Sequence, residues 1–117
     1  MNKVALAMMC VLVVVVLWKL LMGKPSQEEL SAMQQAVTDG GLLLDVRSPT
    51  EFNGGHLEGA LNIPVGELES RLKELGSTDR PIVVYCASGM RSRSASKLLR
   101  ENDFSQVHDL GSMGNWK

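Results

Sequence analysis

Cys86-Ala87-Ser88-Gly89-Met90-Arg91 places a nucleophile and a cation on one short segment, with four residues between them. The thiol follows the apolar, β-branched run Ile82-Val83-Val84-Tyr85, and Ser92 to Leu99 reads as a helix. A buried strand that ends in a loop of small residues opening a helix aims several backbone N–H groups at one point. The positive end of the helix dipole lies behind that point, so the nest favours negative charge. A cysteine at its focus is held more as thiolate, the nucleophilic form. Arg91 adds a permanent cation suited to an oxyanion, and it stands where the macrodipole disfavours a cation, which points to a partner bound in the loop. Ser88 is read either as a donor to that partner or as the small residue a turn requires. The plain alternative is a cysteine that is only a small core residue.

The remaining chemistry-bearing residues are few. The other cysteine, Cys10, lies in an apolar stretch, and the histidines are His56 and His108. No disulfide framework, Cys-x-x-Cys or zinc spacing arises from this set, so neither a metal nor an organic cofactor is expected. Asp45 is read as ordering the cysteine loop or as a strand-end cap. Arg47 lines the pocket mouth or, more simply, pairs with Glu51 four residues on. His56 is read as a packed connector bonded to a neighbouring carbonyl rather than as a proton-transfer group.

Charge narrows the partner. Residues 25–117 carry nine Lys and Arg against thirteen Asp and Glu, a net −4. Arg80 to Arg100 nevertheless holds five cations and no acid, and this basic zone coincides with the cysteine loop. A small anion fits that pattern. The five aromatic residues show no interleaving with basic ones, which argues against a nucleic-acid groove.

The elements that must position the loop follow from periodicity. Ser26-Gln27-Glu28-Glu29 opens a helix whose apolar face is Leu30, Met33, Ala36 and Val37, ended by Asp39-Gly40-Gly41. Leu42-Leu43-Leu44 with Val46 is a buried strand, and Pro49 to Phe52 makes one helical turn. Ala60 to Pro64 is a weaker strand, followed by an amphipathic helix from about Val65 to Leu75. Ile82 to Tyr85 is the central strand, its following helix runs to about Arg100, and Asn102 supplies a left-handed stop. Val107 to Leu110 is a last strand. Alternating β and α elements predict an α/β fold, a parallel sheet with helices on both faces and ligands at the carboxyl ends of the strands.

Residues 1–24 stand apart. Val4 to Trp18 is a run of fifteen apolar residues, extended to Met22 with Lys19 intervening. Nineteen residues of helix reach about 28 Å, near the hydrocarbon thickness of a bilayer. Lys19 and Trp18 suit the interface. A cleaved signal peptide shares the basic start and apolar core, but no small-x-small site follows the run. The reading is one transmembrane helix seated in lipid through residues 4–22, as in a single-pass protein of a bacterial inner membrane, preceding one domain over 25–117. The charge flanks leave its orientation tied; a lone thiol is better protected on the reducing, cytoplasmic side.

Several segments in order resemble a single-domain rhodanese, a sulfurtransferase domain. They are Leu43-Leu44-Asp45-Val46-Arg47, Glu51-Phe52, Gly55-His56-Leu57-Glu58-Gly59-Ala60-Leu61-Asn62-Ile63-Pro64, and Ile82 to Cys86 with Gly89 and Arg91-Ser92. The resemblance implies that Cys86 carries a persulfide between half-reactions. It also implies that the N–H groups of Ala87, Ser88, Gly89, Met90 and Arg91 bind the donor, with Arg91 steering the anion. The implied partners are a small anionic sulfur donor (thiosulfate or a persulfide) and a thiol or protein-cysteine acceptor. Related phosphatases carry one more residue between Cys and Arg, so the shorter loop here suits a sulfane sulfur better than phosphate. Met90 is expected to make one side of the pocket apolar. A phosphatase or arsenate reductase, or a non-catalytic docking module at the membrane, are the rival readings. One departure from the pattern is Leu110-Gly111-Ser112-Met113-Gly114-Asn115-Trp116, where relatives have Leu-x-Gly-Gly and then tryptophan. The pocket wall there is expected to be less covered, or completed by another subunit.

Overall fold

Two short apolar runs in the domain that follows the N-terminal segment decide the architecture. The computed structural model describes residues 2–117, except for the side chains of residues 19–22. Strands β1 (Leu42–Asp45) and β3 (Ile82–Cys86) are buried at every position. Successive side chains of a strand point to opposite faces, so continuous burial requires a layer on each side. Leu42, Leu44 and Val46 join Ile82, Val84 and Cys86 on one face. Leu43, Val83 and Tyr85 pack on the other.

Helix α2 (Gln27–Thr38) covers the second face with Leu30 and Met33. Ser26 caps it, its hydroxyl accepting the Glu29 amide at 3.1 Å. Helix α4 (Met90–Glu101) covers the first face with Ala95 and Leu99, beside Leu68 and Leu75. Each fully buried leucine or valine of these layers contributes roughly 1.5–3 kcal/mol.

With β2 (Leu61–Asn62) and β4 (Val107–Ser112), the sheet runs β2-β1-β3-β4, all parallel. The chain order reverses between β1 and β3. Strand connections therefore diverge on either side of this pair, leaving a crevice at its carboxyl ends. Val46 and the residues after Cys86 leave the sheet there.

Four local expectations are corrected. The second strand is limited to two residues. The helix expected over 65–75 is instead two 3₁₀ segments, Val65–Glu67 and Glu69–Leu75, broken by non-helical backbone at Arg71. Val65–Leu68 and Leu72–Leu75 are each three apart, the spacing that eclipses on a 3₁₀ helix. The left-handed residue after α4 is Asp103, at φ +70°, not Asn102; the Asn102 amide side chain instead donates to Leu98 O at 2.8 Å. Finally, β4 runs past Leu110. Its register jumps so that Asp109 faces Val84 and Gly111 faces Tyr85, and the unpaired Leu110 turns into the α2-side core. Gly111 adopts φ +78° to complete this bulge. After β4, Trp116 packs on the α2-side cluster.

The N-terminal helix α1 (Lys3–Met22) is apolar all round, with Val4 to Trp18 exposed. The expected transmembrane helix is not met among the described residues, where no helix is long and apolar enough to cross a membrane. Side chains 19–22 of the expected span lie outside the described residues.

Candidate active site

Strand β3 delivers Cys86 to the carboxyl edge of the sheet, and the chain turns at once into α4. The turn is made by Gly89, which caps α4 in a left-handed conformation at φ +105°. Its amide donates to Cys86 Sγ at 2.9 Å. Burial pushes the thiol up, but hydrogen bonds from the Ser92 amide and hydroxyl, then from the Gly89 and Ser88 amides, outweigh it, so the net shift is downward. These donors sit where the α4 dipole is positive, as the anion nest requires. Ser92 lies beyond the expected donor range of 87–91. It is buried, and its single hydroxyl hydrogen is shared between the sulfur and Gly89 O, the latter 3.0 Å away. Its position one turn into the helix was the available signal.

The sulfur is deep. Cys86 has 0% exposure, whereas Met90, three residues past Ala87, is 75% exposed. Met90 thus stands at the rim rather than over the thiol. With Ser88 and Gly89 it lines a cleft of about 640 Å³ whose other walls are the Gly23–Ser26 segment, the start of α2 and the end of β4. The Lys24–Glu29 side of this cleft had no sequence signal, because only the fold brings the start of α2 to the loop.

Arg91 does not point to an empty oxyanion position. Its Nη1 and Nη2 donate to the two carboxylate oxygens of Glu51 at 2.6 and 3.0 Å. Helix α3 (Pro49–Asn53) holds Glu51 in place: Ser48 and Glu51 form a capping box, with the Ser48 amide donating to Glu51 Oε1 at 3.2 Å. The Arg91 hydrogen bonds, foremost, and then those from Ser48 hold the Glu51 carboxyl down at about 2. Glu51 is the principal residue that sequence reasoning missed. Ser48-x-x-Glu51 is legible as a cap, but a partner 40 residues away is not.

The expected Arg47–Glu51 pair is therefore absent, and Arg47 takes Asp45 instead. Arg47 Nη2 donates to Asp45 Oδ2 at 2.8 Å and to Gly55 O at 2.7 Å, and the Arg47 amide donates to Asp45 Oδ1 at 2.8 Å. The pair is buried, at 7% and 0% side-chain exposure, under the Tyr85 ring, whose centroid is 5.7 Å from the guanidinium. Asp45 does not bond the cysteine loop, and Arg47 does not line the cleft. Their bonds tie the 54–60 connection to the sheet, where Tyr85 Oη also accepts the Leu57 amide at 3.1 Å. His56 stacks on Phe52 at 3.6 Å, and its Nδ1 lies 2.9 Å from Phe52 O, the packed-connector arrangement. Among the described residues no group of His, Cys, Asp and Glu is arranged to hold a metal ion.

Residues 26–117, the whole of this folded body, match the rhodanese-like domain family. The chain belongs to that family. Among its curated rhodanese relatives, an uncharacterized protein of Bacillus subtilis, YqhL, is 43% identical over 75 residues, covering 63% of this chain and 59% of that protein. A putative sulfur carrier protein of the same organism, YrkF, is 39% identical over 80 residues, 67% of this chain but 43% of its own length. The chain thus spans about half the length of these two relatives. Thiosulfate sulfurtransferase GlpE of Shewanella oneidensis is 35% identical over 75 residues, 63% of this chain and 73% of that one. Among solved structures, the human single-domain sulfurtransferase TSTD1 superposes with a TM-score of 0.65 at 29% identity, covering 80% of this chain and 93% of that chain. The rhodanese-like domain of an Anabaena protein superposes with a TM-score of 0.62 at 32% identity, covering 66% of this chain and 90% of that chain, so the parallel sheet flanked by helices seen here is the rhodanese-like fold.

Proposed function

We propose that this rhodanese-like protein is a sulfurtransferase that carries a sulfane sulfur on Cys86. The observation that carries the reading is the Gly89 amide on the Cys86 sulfur, within a loop whose bonds lower the thiol's proton affinity. Relatives named sulfurtransferases, in Shewanella and in human, support it.

In the first half-reaction the Cys86 thiolate attacks the outer sulfur of a donor. With thiosulfate, a new S–S bond forms, the old one breaks, and sulfite leaves with the electron pair. The persulfide anion Cys86-S-S⁻ then lies among the Ser88, Gly89 and Ser92 amides. In the second half-reaction an acceptor thiolate attacks the terminal sulfur and takes it as a new persulfide, returning the Cys86 thiolate. This is covalent, ping-pong chemistry. The depth of Cys86 favours a slender terminal sulfur over a tetrahedral phosphate, which must bring three further oxygens into the loop. Arg91 has its fork taken by Glu51, so it braces the end of the loop against α3 rather than gripping the donor.

Steady-state assay separates this from the phosphatase and arsenate-reductase readings. Thiosulfate or persulfide turnover far above aryl-phosphate hydrolysis is expected; comparable rates would overturn it.

The same proposal places α1 in a lipid bilayer through residues 4–22, with the domain on the cytoplasmic side. The exposed apolar circumference from Val4 to Trp18 supports lipid as its surroundings, because a helix apolar all round has no face for water. Fractionation of the full chain against a chain lacking residues 1–24 tests it. Equal release into the soluble fraction would contradict membrane attachment.

A further inference from the structure

The cation that ends the cysteine loop is already neutralised. Glu51 grips Arg91 at both terminal nitrogens, from a capped helix turn that leaves its carboxylate little freedom. The cleft beside the loop is balanced as well: Lys24 and Arg93 line it together with Glu29 and Asp109. Formal charge along the cleft beside the Cys86 loop is therefore close to zero, although the sequence from Arg80 to Arg100 is strongly basic. What remains for a ligand is a set of main-chain N–H groups and the exposed Met90 thioether.

We propose that Glu51 sets the charge selectivity of the sulfur site, so that the donor is an alkyl or protein persulfide carrying at most one negative charge, in preference to a dianion such as thiosulfate. This rests on the sulfurtransferase reading and narrows its donor. Amide dipoles stabilise the single charge of a thiolate or persulfide, but a second charge on the ligand needs an uncompensated cation nearby. Glu51 supplies the compensating charge by taking both terminal nitrogens of the Arg91 guanidinium. The step balances: Cys86-S⁻ attacks the outer sulfur of R-S-S⁻, the donor S–S bond breaks, R-S⁻ leaves with the pair, and Cys86-S-S⁻ remains. Neither oxidant nor reductant is consumed. Glu51 touches no reacting atom and is a positioning residue.

The test compares thiosulfate with an alkyl persulfide as donors to cyanide, using the full chain and its Glu51→Gln and Glu51→Asp variants. Freeing one unit charge at the end of the cysteine loop should raise kcat/KM for thiosulfate relative to the persulfide by about tenfold in Glu51→Gln, expressed in KM. Glu51→Asp, which keeps the carboxylate, should stay near the wild-type ratio. Arg91→Met, which leaves the acid without its cation, should move the ratio the opposite way, and it serves if Glu51→Gln does not fold. A second arm needs no turnover: sulfate should protect Cys86 from alkylation at about tenfold lower concentration in Glu51→Gln than in wild type. An unchanged ratio, or equal loss for both donors, would make Glu51 a mere brace and overturn the proposal. Failure of wild type to use either donor sinks the sulfurtransferase reading instead, while the sulfate arm still decides whether Glu51 governs dianion binding.

Discussion

The Gly89 amide stands 2.9 Å from the Cys86 sulfur because Gly89 holds φ at +105°, a backbone that L side chains rarely adopt. A Cβ at this position would meet Gly111 Cα at 3.8 Å, an ordinary contact, so space is not the constraint. The cost of Gly89→Ala is backbone strain of about 1–2 kcal/mol. Relief of that strain swings the amide off the sulfur. Urea denaturation should show a modest loss of stability, while the rate of sulfur uptake falls by about tenfold or more, the scale set by losing one hydrogen bond to a charged group. Full uptake in this variant would separate the amide from the chemistry.

Ser92 is the first residue of α4 that faces the thiol. Against burial, which raises the Cys86 thiol, its amide and hydroxyl are the leading groups that lower it. Ser92→Ala removes the hydroxyl and keeps the amide. The pH profile of alkylation by iodoacetamide should shift to higher pH, because more base is then needed to form the thiolate. Sulfur transfer at neutral pH should drop by roughly three- to tenfold. An unmoved profile would reduce Ser92 to packing.

Much of this architecture is legible in the sequence because burial writes itself into apolar runs. Leu42 to Leu44 and Ile82 to Tyr85, short apolar runs, one bounded by turn residues and the other β-branched, read best as buried strands, and the loop after Cys86 followed from its small residues. What escapes is pairing between distant charges. Arg47 has two acids within four residues, Asp45 and Glu51, and local spacing favours Glu51. The fold reverses the choice: the Ser48 cap turns Glu51 outward to Arg91, leaving Asp45 to hold Arg47 under Tyr85. The bulge at Leu110 escapes for a similar reason, since only pairing with β3 reveals the extra residue.

Asp45→Ala tests that reversal. Arg47 would stay buried with its carboxylate gone, and breaking one side of a buried ion pair costs about 3–5 kcal/mol. Urea denaturation should show a loss of that order, whereas Glu51→Ala should cost far less because its pair with Arg91 is about one-third exposed. Equal effects would contradict the assignment of Asp45 as the structural partner.

Acid should release the loop from α3. The Glu51 carboxyl is held at about 2, below its ordinary 4.5, chiefly by Arg91 and then by Ser48. A depressed carboxyl contributes stability that is fully present above its unfolded value. That contribution declines as the pH falls from roughly 4.5 and is lost through the folded value near 2. Hydrogen exchange at the 87–92 amides should therefore quicken, relative to the core, across this window. In Glu51→Gln the step should be missing, and its persistence would assign the transition to another group.

The most direct measurement is the intact mass of the full chain after incubation with an alkyl persulfide or thiosulfate and removal of excess donor. One sulfur atom, about 32 Da, should be gained at Cys86 and removed by cyanide. Cys10→Ser should gain it and Cys86→Ser should not, since the two free thiols differ in that only Cys86 is buried in the amide nest. No gain from either donor, or the same gain in Cys86→Ser, would contradict the account.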